Sequence, residues 1–349
     1  MATTIEVEGR KVGPGTPCFV IAEAGVNHNG SLDLALKLVE AAAQAGADAV
    51  KFQLYRAEEQ ISKAAVTADY QREQTGAGNM LEMAQSYDLP WEAHKTIIAH
   101  CRTKGIAYMA SCFDVRAVDF LIELGGQAIK VGSGELTNYP LLAHMAASGK
   151  AILLSTGMST LSDVAGAVEH LRRHGNTSLA LFHCVSNYPT DPATVNLRVM
   201  HTLAQAFEVP VGFSDHTEGN SVSIAAVALG AQLIEKHFTL DKSLPGPDHA
   251  MSLNPEELRQ FMVDVRAAEA CLGNGIKQLQ PKEQEVQRAA RRSLVSAKSI
   301  RAGEKLAETN VTLKRPATGI DPRLWDTVRG RTTKVEIPAD VPITWEMLQ

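Results

Sequence analysis

A chain of 349 residues, 45% hydrophobic and 21% charged, has room for one large α/β domain and a small second one. Its formal net charge of −5 offers no electrostatic footprint for nucleic acid or for a polybasic contact with a membrane. No window reaches the ~18 apolar residues of a membrane-spanning helix, and Met-Ala-Thr-Thr-Ile-Glu-Val-Glu at the start is not a secretory signal, so the expected compartment is the cytoplasm.

Eight short runs, each apolar at its start and polar at its end, are spaced along the first 240 residues. In chain order their ends read Ala-Glu-Ala-Gly-Val-Asn-His (22–28), Ala-Val-Lys-Phe-Gln (49–53), Met-Ala-Ser-Cys-Phe (109–113) and Ile-Lys-Val-Gly-Ser-Gly-Glu (129–135). Leu-Leu-Ser-Thr-Gly-Met (153–158), Phe-His-Cys-Val-Ser-Asn-Tyr-Pro (182–189), Gly-Phe-Ser-Asp-His (212–216) and Ile-Glu-Lys-His (234–237) follow. Buried parallel strands whose C-terminal ends open onto an active site have this profile. Between the runs, helices are predicted over 31–46, 90–104, 115–124, 139–148, 160–174 and 221–229, each stopping at or next to a glycine. Strand and helix alternate as in a parallel sheet, and eight units favour a closed (β/α)8 TIM barrel over an open sheet.

Two segments break the rhythm. Residues 54–89 are too long for a plain connection and read as a long polar loop, of the kind that serves as a lid or specificity element. The second, 240–251, contains Leu-Pro-Gly-Pro-Asp-His, a rigid turn after the eighth strand. Domain boundaries are expected at 1–271 for the barrel, 272–289 for a linker, and 290–349 for a small β-rich module that is marginal alone. The five cysteines form no Cys-x-x-Cys pair, so neither a disulfide framework nor a zinc cluster is expected.

In a barrel, Lys51 and Lys130 point into one cavity, with Ser133, Ser155 and Asn187 as neutral donors on neighbouring strand ends. Two ammoniums and several donors suit a phosphate or carboxylate; the other reading pairs each lysine with a carboxylate at the rim. Six histidines (94, 100, 144, 170, 174 and 201) fall on helices and are expected at the surface. His216 and His237 close adjacent strands and could bind a divalent ion, act as a base, or be satisfied core residues. Glu23, Glu135, Asp215, Glu235 and Asp248 face the cavity mouth if the register is right, with Lys236 pointing out if Glu235 and His237 point in.

Ile-Ala-Glu-Ala-Gly-Val-Asn-His-Asn-Gly, Lys-Phe-Gln, Lys-Val-Gly-Ser-Gly-Glu, Leu-Ser-Thr-Gly-Met, His-Cys-Val-Ser-Asn-Tyr-Pro, Gly-Phe-Ser-Asp-His-Thr, Glu-Lys-His-Phe-Thr and Pro-Gly-Pro-Asp-His together resemble the sialic acid synthase family, in order and over nearly the whole chain. The resemblance implies a (β/α)8 barrel followed by an antifreeze-like (SAF) domain, in a homodimer where that domain covers the partner's active site. It implies condensation of phosphoenolpyruvate with N-acetylmannosamine, as the open-chain aldehyde, and water to give N-acetylneuraminate and phosphate by C–O cleavage. Legionaminic acid synthesis from 2,4-diacetamido-2,4,6-trideoxymannose is the alternative, because Tyr-Gln-x-Glu-x-Thr in the 57–80 segment resembles both branches.

By the same resemblance, Lys51, Lys130, Ser133, Ser155 and Asn187 bind phosphoenolpyruvate. Glu23, Gln53, Tyr188, Asp248 and Arg315, the last from the partner subunit, contact the sugar. His216 and His237 hold a divalent metal, Mn2+ or Mg2+, and with Glu23 and Glu135 make up the catalytic set. A metal-independent Schiff-base pyruvate aldolase, using Lys51 or Lys130 as the amine, is a more distant alternative.

Overall fold

The computed structural model describes residues 4–349, the side chain of Tyr70 excepted. The start of the N-terminal segment and the tyrosine side chain of the Tyr-Gln-x-Glu-x-Thr stretch therefore lie outside the described residues. The chain forms two compact units, Met1–Gly273 and Asn274–Gln349.

The first unit opens with a hairpin of β1 (Ile5–Val7) and β2 (Arg10–Val12), turned at Glu8-Gly9 with both residues at positive φ. Eight parallel strands follow: β3 (Phe19–Gly25), β4 (Ala49–Leu54), β5 (Ala107–Cys112), β6 (Ala128–Val131), β7 (Ala151–Ser155), β8 (Leu179–Cys184), β9 (Val211–Asp215) and β10 (Leu233–His237). They close in the order β10-β3-β4-β5-β6-β7-β8-β9, so the eight runs of the sequence are the eight staves of a barrel.

Alternation along each strand sorts the side chains. Outward residues such as Val20, Val50, Phe52, Ile152, Leu154, Leu181 and Phe213 pack against the surrounding helices. Inward residues near the strand starts, among them Phe19, Ile21, Met109, Leu153, Phe182 and Leu233, form a separate apolar plug with Ile5, Val7 and Val12 of the hairpin. The hairpin thus stops the N-terminal end of the barrel. Glu8 secures it by accepting from the Gln127 and Ala128 amides at 2.8 and 2.9 Å.

The helices follow the sequence signals closely. Leu32–Ala45 is N-capped by Ser31 and ends at Gly46 in the left-handed region, and Leu161–Arg173 carries a Thr160–Asp163 capping box. Residues 54–89 correct one expectation: they hold three short helices, Ala57–Gln60, Asp69–Thr75 and Met80–Ser86, rather than a plain loop. Val26, Tyr55 and Ala57 form a small core with Leu81, Ala84, Tyr87 and Phe113, which gives this excursion its own anchorage.

His94 is a second correction. It is fully buried, its Nδ1 sits 2.8 Å from the Tyr108 hydroxyl, and its ring meets Phe52 edge-on at 6.3 Å.

In the second unit, β11 (Ser293–Ser296) pairs antiparallel with β12 (Val311–Lys314). Leu294, Ile300, Leu306, Ile320, Val328, Ile337, Ile343 and Leu348 form its core. Part of the expected linker, Glu283–Ala290, is helical. All five cysteines are free thiols, and among the described residues no helix is long and apolar enough to cross a membrane.

Candidate active site

At the C-terminal end of the barrel the inward positions turn polar. Glu23 on β3, Lys51 on β4, Ser111 on β5, Lys130 on β6, Ser155 on β7, Ser214 on β9 and Glu235 on β10 are all buried. Lys51 Nζ lies 2.8 Å from Glu23 Oε2 and 3.6 Å from Glu235 Oε2, and donates to Ser111 Oγ at 2.7 Å. Lys130 Nζ lies 3.5 Å from Glu235 Oε1, donates to Ser155 Oγ at 2.7 Å and stands 5.2 Å from the Phe182 ring centroid. Ser214 donates to Glu235 Oε1 at 2.9 Å. The two lysines therefore belong to one buried network, and both are paired with carboxylates.

Burial raises Glu23, against the opposing pull of Lys51 and with the help of Glu235, to about 7. Burial acts the same way on Glu235, but Lys130, Lys51 and the Ser214 hydroxyl overcome it and hold the group at about 2. Lys51 is pushed down by burial yet held above its ordinary value by Glu23 and Glu235. Burial, only partly offset by Glu235, leaves Lys130 below its own. An ammonium on Lys51 is a poor Schiff-base nucleophile, which argues against Lys51 as the amine of an aldolase but not against Lys130.

Next to this charge layer, Ser133 accepts from the Gly157 amide at 3.0 Å. A Cβ on Gly157 would lie 2.3 Å from Ser186 Oγ and 2.8 Å from Ser133 Oγ, so only glycine admits both hydroxyls here. Asn187 is exposed in the turn after β8, beside the cis Tyr188–Pro189 bond, and its carbonyl accepts from Thr190 Oγ1 at 2.6 Å.

Two residues further along their strands than Ser214 and Glu235 come His216 and His237, with ring centroids 5.6 Å apart. The Tyr188 ring lies 4.1 Å from His216 and edge-on to His237 at 6.1 Å. Gln53 Nε2, Glu23 Oε1 and His237 Cε1 all surround the open side of Gly25. Asp248 Oδ2 is 3.9 Å from His237 Nδ1, and burial, opposed by His216, raises Asp248 to about 6. The wall carrying Asp248 is fixed by its neighbours. His249 bonds Thr239 Oγ1 at 2.6 Å and Asn29 Oδ1 at 3.0 Å, and Asn27 donates to the Phe238 carbonyl at 2.8 Å.

A profile of the NeuB family matches residues 38–277, and one of the SAF domain matches 291–349. This chain belongs to the NeuB family. It is 45% identical to the N,N'-diacetyllegionaminic acid synthase of Campylobacter jejuni over 90% of this chain and 95% of that protein. It is 40% identical to the protein of the same name from Legionella pneumophila, over 100% of both. A solved structure of N-acetylneuraminic acid synthetase from Leptospira borgpetersenii, in complex with citrate, superimposes with TM-score 0.74 at 34% identity, covering 82% of this chain and 95% of that one. As a NeuB-family member with such relatives, the chain is an enzyme of the N-acylneuraminate synthase type.

A divalent cation is implied for NeuB enzymes by the resemblance, and the residues fit one. His216 Nδ1 meets the Val185 carbonyl at 2.8 Å and Cys184 Sγ at 3.8 Å, which orients the ring and frees its other nitrogen, although against burial Cys184 and the Val185 carbonyl hold its pKa above the ordinary value. His237 Nδ1 is buried without a hydrogen-bond partner, and burial, with His216 and Lys51 nearby, keeps its pKa well below the ordinary value, as a neutral ligand requires. Among the described residues no third His, Cys, Asp or Glu completes a ligand cluster, so two imidazoles would be the protein's share of a bound ion.

The structure draws together Glu23, Gln53, Lys51, Lys130, Ser155, Tyr188, His216, His237 and Asp248, with Ser133 at the Gly157 turn. Two expected positions differ. Asp215 does not face the cavity: strand alternation turns it outward, where it pairs with Lys236 at 3.0 Å. Glu135 sits in a short helical turn, half-buried, with its carboxylate accepting from Asn138 Nδ2 at 2.7 Å rather than joining the lysine network. Arg315 is exposed in the second unit, before a cis bond to Pro316. Ser111, Ser186 and Ser214 were not singled out from the sequence. Two-residue alternation from Met109 to Ser111, and from Gly212 to Ser214 and His216, was the available signal.

Proposed function

We propose that this NeuB-family enzyme condenses phosphoenolpyruvate with an open-chain N-acyl mannosamine and water, releasing phosphate, and that its preferred acceptor is 2,4-diacetamido-2,4,6-trideoxymannose. N-Acetylmannosamine, ranked first on sequence, is the second acceptor. The observation that carries the reaction class is the stacking of two layers: lysines and hydroxyls below, two imidazoles above. The names of the Campylobacter and Legionella relatives favour the diacetamido sugar.

In this reading Lys51, Lys130, Ser133, Ser155 and Asn187 hold the phosphate and carboxylate of phosphoenolpyruvate, which is positioning and electrostatic work. Glu23, Gln53, Tyr188 and Asp248 orient the sugar so that its aldehyde carbon meets C3 of phosphoenolpyruvate. A Mn2+ or Mg2+ ion on His216 and His237 would supply Lewis acidity toward the aldehyde oxygen. As the C3–carbon bond forms, C2 becomes electron-poor, and a carboxylate beside it favours that charge. Glu235 stands closer to the lysine layer than Glu135 does, and takes that role here ahead of Glu135. Water adds to C2 and phosphate leaves with its bridging oxygen. Arg315 contacts the sugar from the second subunit of a homodimer. The free thiols suit the reducing cytoplasm.

The test is phosphate release from phosphoenolpyruvate with Mn2+ and each sugar in turn. Release that requires a sugar, is faster with the diacetamido compound, and stops with chelator supports the whole reading. Faster release with N-acetylmannosamine reverses the acceptor order, and sugar-independent or chelator-resistant release defeats the metal-assisted condensation.

A further inference from the structure

The outward faces of the barrel strands are mostly apolar, with His183 and Tyr108 as neutral polar residues whose polar atoms meet the Val195 carbonyl and His94. Among the described outward residues of β3–β10, the charged ones are Asp215 and Lys236, which are register partners on the neighbouring strands β9 and β10. Their side chains are 0% and 1% exposed, with Lys236 Nζ 3.0 Å from Asp215 Oδ2. The carboxylate is saturated: Oδ1 accepts from the Thr217 amide and the Thr217 hydroxyl, both at 2.8 Å, and Oδ2 also accepts from Ser223 Oγ. Lys236 donates in addition to the Thr217 carbonyl.

A buried ion pair at a strand–helix interface is a weak source of stability, because desolvation offsets the attraction, and apolar side chains serve the neighbouring strands well. Its place suggests another purpose. Asp215 and Thr217 flank His216 on both sides, and the Asp215–Thr217 turn sets the backbone between them. Lys236 precedes His237 and is tied to that same turn. The pair therefore joins the two strand ends that carry the imidazoles, at the one level where their separation is determined.

We infer that Asp215 and Lys236 are a positioning pair whose task is to hold His216 and His237 at the spacing that binds a divalent cation. This rests on the proposed metal role of the two histidines. Supporting groups of this kind change metal affinity about 10–100-fold when removed.

The experiment titrates Mn2+ into the purified full chain, following free Mn2+ by electron paramagnetic resonance, and titrates phosphoenolpyruvate separately without metal. The variants are Asp215→Leu/Lys236→Met, which swaps the pair for apolar side chains, and Thr217→Val, which removes one hydroxyl bond and keeps the shape. The double variant is expected to bind Mn2+ at least tenfold more weakly and Thr217→Val severalfold more weakly, while phosphoenolpyruvate affinity stays within about twofold. Unchanged Mn2+ affinity in Thr217→Val and in any folded double variant overturns the inference, as does an equal loss of phosphoenolpyruvate affinity, which marks a merely structural pair. His216→Ala separates the premises: if the unmodified chain binds Mn2+ no better than His216→Ala, the metal reading fails, and the positioning role fails with it.

Discussion

Lys51 and Lys130, two strands apart in the barrel, are bridged by one carboxylate. Glu235 presents Oε2 to the first at 3.6 Å and Oε1 to the second at 3.5 Å. In Glu235→Gln the two buried ammoniums share Glu23 alone, and leaving a buried charge under-compensated costs roughly 3–5 kcal/mol. The variant should melt lower than the parent, and phosphoenolpyruvate, a multiply charged anion, should raise its Tm by more than it raises the parent's. Equal ligand-induced shifts in differential scanning fluorimetry would count against the lysine layer as the anion site.

Gly157 tests the hydroxyl cradle. A methyl at that position meets serine Oγ atoms, which can rotate aside, so Gly157→Ala should fold with a near-parental Tm. The displaced Ser133 and Ser186 hydroxyls then lose their aim. Loss of one hydrogen bond to a charged group costs about 1.5–3 kcal/mol, so the KM for phosphoenolpyruvate should rise tenfold or more with the sugar KM little changed. Steady-state kinetics with each substrate varied in turn decides it.

How much of this was legible in the sequence depended on local signals. The six predicted helices, which end at or next to glycine, were readable to within a residue or two, whereas Pro255–Leu272, capped by Asn254 and ending at Gly273, was missed. Helix Val199–Phe207 was missed too, because it starts without a side-chain cap and ends at Glu208 in the left-handed conformation that glycine usually takes. The hairpin at Glu8-Gly9 has strands of only three residues each, too short to show alternation. His94 shares the i, i+3, i+4, i+7 face of Ile97, Ile98 and Cys101, so its burial was in the pattern, although helical histidines as a class are polar. Glu235 was visible as one carboxylate among five. Its bridging role needed the register that sets β10 beside both β9 and β3.

Arg315→Ala should raise the sugar KM far more than that of phosphoenolpyruvate, since loss of a hydrogen-bonded charged contact costs ~2–5 kcal/mol. Mixing Arg315→Ala with an inactive Lys51→Met chain is the sharper measurement. Recovered activity in the mixed dimer would support a contribution across subunits, and none would count against it.

Acid stability follows from buried histidine. Burial lowers His94 to about 3 and His28 to about 4, so both fold as neutral rings. Below the unfolded value near 6.5 the unfolded chain binds the extra protons, and stability falls as pH drops toward the folded values. His94 alone should cost about 2 kcal/mol between pH 7.5 and pH 5. Urea denaturation at the two pH values should show a smaller pH difference for His94→Gln than for the parent, even though the variant is weaker at both.

The stopper of Ile5, Val7 and Val12 at the foot of the barrel has a kinetic consequence. With that end of the barrel stopped, the proposed site is approached from the C-terminal end of the strands, with the lysine layer deeper and the histidines nearer the strand ends. Whatever sits at the bottom must enter before the rim is filled and cannot leave until the rim has cleared. For the proposed reaction this predicts sequential traffic: phosphoenolpyruvate loads first, the sugar second, the nine-carbon product departs next, and phosphate is the last to go.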